Sequence, residues 1–227
     1  MDYLGWGEAP RDGMTMTEPR WQRYAPLGAV GFMLSLGLGA AVIGASSPAG
    51  DASATEIATY FADHQGGLLA NTLLSALGGF VLFPWFLASL YQRIRRVEGA
   101  DGLCAPAALV GGIALLAPLL IQLTGWGAAA LQVGEQRDPA VAAALFDLGS
   151  TGFLIFPLPA AVVVVATTLA SRSGPLLPVW LARAGFPVAV VMVLGAFPLG
   201  QFMFALFALW LLLVTVVLIR THPPQQG

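Results

Sequence analysis

One carboxylic acid, Asp147, stands inside a long apolar run at 142–169, with Ser150 and Thr151 three and four residues further on. On a helix these three side chains share a face, because neighbours at i+3 and i+4 stack one above the other. An ionisable group in hydrocarbon costs about 2.5 to 3.5 kcal/mol on insertion scales, so its position points to a use. Two kinds of chemistry are open to it: protonating an olefin or epoxide in an apolar cavity, or hydrogen bonding to a bound ligand. Other polar side chains recur at matching places in other apolar runs. Asn71 and Ser75 come early in 68–91, Gln122 and Thr124 late in 107–131, and Gln201 at the head of 202–219. Counted at about 1.5 Å per residue, all of them lie in the same half of their runs. With Trp126 and Phe153 as apolar walls and His64 in the preceding loop, they outline an outward-opening pocket. The ligand-binding candidates are Asn71, Gln122, Trp126, Asp147, Ser150, Thr151, Gln201 and His64, and Asp147 is the catalytic candidate if there is catalysis.

The elements that position these residues follow from composition. Of 227 residues, 57% are hydrophobic and 10% charged, against about 25% charged in a soluble domain. Six apolar spans are expected at 27–45, 68–91, 107–131, 142–169, 184–197 and 202–219, all but the short fifth near or above the roughly 20 residues that cross a ~30 Å hydrocarbon layer. The expected fold is an all-α bundle of six transmembrane helices at 25–220, with tails at 1–24 and 221–227. An even number of spans puts both termini on one side, together with the loops at 92–106 and 170–183. That side holds every arginine except Arg137, which makes it cytoplasmic by the positive-inside rule. In the first outer loop, Ser53 and Glu56 form a capping box, and Ile57, Tyr60 and Phe61 follow at helical spacing. A short helix on the outer surface is expected there, broken by Gly66 and Gly67. A second amphipathic stretch is expected at 176–181, on the inner face. Pro84, Pro118, Pro157, Pro159 and Pro187 fall inside spans and are expected to kink them, while Gly31, Ser35 and Gly39, and Ser75 with Gly79, offer small-residue packing stripes.

Residue types remove many chemistries. The ten basic residues are all arginine, so Schiff-base lysines and P-loops are excluded. Two histidines and one cysteine, Cys104, cannot build a zinc cluster, an iron–sulfur site or an intrachain disulfide. No metal or cofactor is therefore expected, and the slightly negative net charge of -2 gives no support for nucleic-acid binding. Paired aspartate motifs, an HExxH zinc motif and a span histidine are all absent.

The order of features resembles that of uncharacterised multi-pass membrane proteins of actinobacteria. The resemblance is carried by the opening of the first span from Pro26 to Gly44, by ATEIATYFAD at 54–63, by FPWFLASLYQRIRR at 83–96 and by SGPLLPVWLARAG at 173–185. It implies the six-helix architecture in a bacterial plasma membrane and implies no mechanism. Absent lysine and abundant alanine, glycine and arginine also fit a GC-rich bacterial genome. The expected function is binding of a membrane lipid or small apolar molecule in the outward-facing pocket, or service as a subunit beside a second copy or a partner membrane protein. The alternatives are a membrane-embedded cyclase or lyase using Asp147 as general acid and, further off, a small transporter.

Overall fold

The structure, a computed structural model, describes residues 24–43, 47–134, 138–200 and 202–221. Every regular element among them is helical: α1 (Leu27–Ile43), α2 (Ala54–Asp63), α3 (Gln65–Ala76), α4 (Phe83–Glu98), α5 (Cys104–Leu131), α6 (Pro139–Leu154), α7 (Pro157–Ser173), α8 (Val179–Gly195) and α9 (Phe202–Arg220). Four rods are long and apolar enough to cross a membrane: Gln65–Glu98, Cys104–Leu131, Pro139–Ser173 and Phe202–Arg220. The apolar helices α1 and α8 are shorter, at 17 residues each. Helix covers most of each apolar stretch, and two of the rods are interrupted.

The first interruption is a π-helical turn, Leu77–Leu82, between α3 and α4. Pro84 lacks the N–H that a regular helix would place there, and the Phe83 N–H donates to Gly78 O, five residues back, so the turn widens ahead of the proline. The second lies at Ile155 and Phe156, ahead of Pro157. Pro84 and Pro157 fall in the first turns of α4 and α7, just past these interruptions, whereas Pro118 and Pro187 lie inside α5 and α8.

Two local expectations are corrected. Gly66 and Gly67 do not break the chain; α3 starts at Gln65 and runs through both, and the break is at His64 alone. Gly67 instead lets α3 lie against α1, since a Cβ there would sit 2.7 Å from Val42 O. The stretch at 176–181 is not one helix either: Leu176 and Leu177 are buried in an irregular segment, and α8 begins at Val179.

Consecutive rods run antiparallel. On α1, Gly28 meets Leu82 and Phe86 while Gly39 meets Asn71; on α5, Gly125 meets Leu145 and Gly149 while Gly111 meets Pro159 and Val162. Six arginines consequently gather at one end. Arg93, Arg95 and Arg96 lie near the end of α4, Arg172 and Arg220 in the last turns of α7 and α9, and Arg183 on α8. Arg93 Nη1 donates to Thr221 Oγ1 at 3.2 Å, tying α4 to the end of α9.

At the other end α2 lies across α5 and α6. Its capping box is formed in both directions, with Ser53 N donating to Glu56 Oε2 at 2.7 Å and Glu56 N to Ser53 Oγ at 3.3 Å. The apolar stripe of α2 places Ile57 and Phe61 in a core of their own with Leu68, Ala129, Ala130 and Phe146. The larger core runs through the middle of the bundle and toward the arginine end, around Phe32, Phe83, Phe86, Phe156, Phe207 and Trp210. Four hydroxyls inside the rods are satisfied locally: those of Ser35, Thr72, Thr167 and Thr215 each donate to the carbonyl four residues back, at 2.7 to 2.9 Å.

Candidate functional site

The polar candidates divide among different helix pairs. Trp126 and Ser150 come together, with Trp126 Nε1 donating to Ser150 Oγ at 3.2 Å across α5 and α6. That pairing needs close backbones. A Cβ on Gly125 would lie 2.7 Å from Leu145 O and 2.9 Å from the Cα of Gly149, so only glycine fits. Gln122 is half-buried on the same side of α5, and its carbonyl lies against Gly149. Asn71 belongs to the α1–α3 contact: its Oδ1 accepts from Ser75 Oγ at 3.2 Å and packs over Gly39.

Asp147 and Thr151 point away from the bundle. Both are exposed, on the side of α6 opposite Ala142, Phe146 and Gly149. His64, at the junction of α2 and α3, stacks on Tyr60 with ring centroids 4.8 Å apart and holds Tyr60 O through Nδ1 at 2.9 Å. Phe153 stacks on Phe156, 5.1 Å away, in the larger core. Gln201 lies outside the described residues. The helices thus bring together Trp126, Ser150 and Gln122 and leave Asn71, His64 and Asp147 in three other surroundings. Among the described residues no cluster of three His, Cys, Asp or Glu could hold a metal.

Electrostatics at this end are local. The backbone and side chain of Ser53 hold the Glu56 carboxyl below the ordinary carboxylate range. Burial pushes the Tyr60 phenol upward, and its hydroxyl is buried without a hydrogen-bond partner. The hydroxyl of Thr168 and the indole N–H of Trp210 share that condition in the larger core.

A cavity of about 630 Å³ lies elsewhere, between α5, α7 and α8. Small side chains make it. Ala107 on α5, Ala161 and Ala166 on α7 and Ala189 on α8 leave the space, and Val162 and Val190 form part of its walls. Leu103 and Cys104 stand at its α5 rim, next to Glu98, whose Oε2 accepts from Cys104 N at 3.0 Å and Ala105 N at 3.3 Å and so caps α5. The volume falls within the roughly 300–1,000 Å³ of small-molecule sites. Its lining, from Leu158 to Leu169 on α7, covers about 16 Å of helix at 1.5 Å per residue. Chemically the groove offers van der Waals contact and one thiol, which suits binding an apolar chain.

The polar pattern of the sequence does not mark this groove, because nothing in its lining other than Cys104 is a residue that does chemistry. The available signal was volume: alanines at 161 and 166 on one rod and at 189 on its neighbour, each inside a run of valines. Compared with known protein families, curated proteins and solved structures, the chain matches none.

Proposed function

We propose that this chain is a multi-pass protein of a bacterial plasma membrane that holds the apolar chain of a membrane lipid, or a small apolar molecule of similar shape, in the groove between α5, α7 and α8. The observation that carries this reading is the groove itself: about 630 Å³ of space walled by alanine, valine and leucine, between helices that elsewhere along their length meet closely at Gly111 and Gly185.

Orientation and depth follow from the arginines. Both termini are cytoplasmic in this reading, with the arginine end facing the cytoplasm. If Arg172 marks the inner edge of the hydrocarbon, the ~30 Å layer takes about 20 residues of α7 and α6 and ends near Gly152. From Arg93 the same count along α4 and α3 ends near Leu73, and from Leu103 along α5 near Leu123. Asn71, Gln122, Trp126, Ser150 and Thr151 all lie within about one turn of that outer edge. Asp147 and His64 lie beyond it, so the carboxylate reaches headgroups or water. The common depth of the polar residues is thus the depth of the outer interface, where Trp and other amphipathic side chains settle. The groove, by contrast, falls inside the hydrocarbon and covers about one leaflet.

Native mass spectrometry of the full chain, purified in mild detergent, tests the reading. The wild type is expected to carry a defined added mass, and Val190→Trp, which fills the groove from an exposed wall position, to lose it while melting at the same temperature. Bare chain in both, or the same adduct in both, would overturn it.

A further inference from the structure

The groove has a charged foot. Along α7 its lining recurs at Leu158, Val162, Val165 and Leu169, and the next position on that stripe is Arg172. Along α8 the lining at Ala189, Val190 and Val193 continues downward through Phe186 to Arg183. The Arg172 guanidinium carbon sits 4.8 Å from the centre of the Phe186 ring, so this arginine bridges α7 and α8 directly below the apolar walls. Arg172 and Arg183 are both exposed. On the third wall, the Glu98 carboxylate beside the rim is engaged by the first backbone N–H groups of α5.

We infer that the occupant of the groove is an anionic phospholipid of the cytoplasmic leaflet, with one acyl chain between α5, α7 and α8 and its phosphate between Arg172 and Arg183. This rests on the proposed function and specifies its ligand. Three observations converge on it. The groove is apolar for about 16 Å of helix, about half of a ~30 Å hydrocarbon layer, which matches one chain of one leaflet. At its foot stand Arg172, held over Phe186, and Arg183 on the continuing stripe of α8, and the planar donor forks of arginine match phosphate oxygens. Those groups lie at the arginine-rich end of the bundle, and basic pockets between helices on the cytoplasmic side are where anionic headgroups are recognised. The Phe186 ring holds the Arg172 guanidinium by cation–π attraction while leaving its N–H edge free to donate.

The test uses the full chain in detergent, stripped of lipid and titrated with dioleoyl phosphatidylglycerol or dioleoyl phosphatidylcholine, which share acyl chains and differ in charge. Bound lipid is counted by native mass spectrometry, and melting temperature controls for folding. Wild type is expected to prefer phosphatidylglycerol about tenfold or more. The double variant Arg172→Gln/Arg183→Gln is expected to bind both lipids equally, by weakening phosphatidylglycerol alone. Val190→Trp, with Val193→Trp as a second groove-filling variant, is expected to lose both. Equal affinity of wild type for the two lipids, or a preference that survives in the double variant, overturns the headgroup site and leaves the groove standing. Wild-type binding of both lipids by both tryptophan variants overturns the groove reading itself. A wild type that takes up neither lipid and runs as a stable dimer does so too, and assigns the groove to a second copy.

Discussion

The α2 end and the groove between α5, α7 and α8 are built from opposite materials. At the α2 end, side chains of distinctive chemistry gather: Trp126, Ser150, Asn71, His64, Tyr60 and Asp147. Trp126 with Ser150, Asn71 with Ser75 and the His64 ring with Tyr60 O are occupied, whereas the buried Tyr60 hydroxyl is not. Around the groove the lining is alanine, valine and leucine, and space remains. The difference separates two meanings of a polar residue in an apolar chain. Where polar groups meet, they satisfy each other and close the packing; where small apolar residues meet, a cavity results without any polar residue to announce it.

The sharpest way to break this contrast is to force the α2 end apart and ask whether the groove follows. Gly125→Val places branched carbons where even a Cβ would lie 2.7 Å from Leu145 O. Overpacking of this kind costs about 1 to 3 kcal/mol, and more where, as here, the obstacle is backbone. A marked loss of stability is expected, read from reversible unfolding in mixed detergents. Ala107, at the groove, is 18 residues away along α5, about 27 Å. Lipid retention by the molecules that remain folded should therefore be unchanged. Parallel loss of both would show that the two regions are one cooperative unit.

The opposite perturbation should have the opposite signature. Val190 and Val193 are 55% and 46% exposed, so tryptophan there can be accommodated without displacing core atoms. Lipid retention is expected to fall about tenfold or more, equivalent to at least about 1.4 kcal/mol of binding, with little change in melting. A variant that melts low and still binds would reverse the comparison.

A smaller effect is expected at the Trp126–Ser150 hydrogen bond. Interhelical hydrogen bonds in membrane proteins average about 0.6 kcal/mol by double-mutant cycles. Trp126→Phe, Ser150→Ala and the pair together should show a coupling of that order in unfolding and none in lipid binding. If Ser150→Ala or Gln122→Leu weakens lipid binding instead, the polar cluster is a ligand site after all. Asp147→Asn, at an exposed carboxylate, should change neither quantity.

How much of this could be read in the residues depends on which physical signal each feature leaves. The rods leave a strong one, since runs of apolar residues are visible at any register, and the Ser53–Glu56 box is a local pattern that forms as read. The break at Ile155 and Phe156 and the π-turn at Leu77–Leu82 leave a weak one. Pro157 and Pro84 announce a disturbance but not its form, which depends on what packs beside them; Phe32, Ser35 and Leu119 press on Gly78 and Gly79. The depth shared by Asn71, Gln122 and Trp126 was legible, but depth is not direction. Counting residues places a side chain along a helix, whereas the partner helix decides which way it faces, and Asp147 faces out. The groove was least legible because it is a difference in volume between neighbouring helices, and their pairing is a property of the fold.

The smallest expected effect tests whether the α2 end is a separately held cap. Glu56 is fully exposed, and hydrogen bonds from the backbone and side chain of Ser53 hold its carboxyl below the ordinary value. A carboxylate with a lowered folded pKa stabilises the folded state above its unfolded pKa, and this contribution is lost as pH falls through the folded value. α2 should therefore loosen below about pH 4, the ordinary glutamate range. Hydrogen exchange at the first turn of α2 would report it, with protection falling in acid for wild type and already reduced at neutral pH in Glu56→Gln. Exchange along α7 and α8 should not respond, since Glu56 contributes nothing to their packing. If acid loosens α2 and the groove walls together, Ile57 and Phe61 transmit the change through Phe146 and α6 to α7, and the two regions are coupled through that rod.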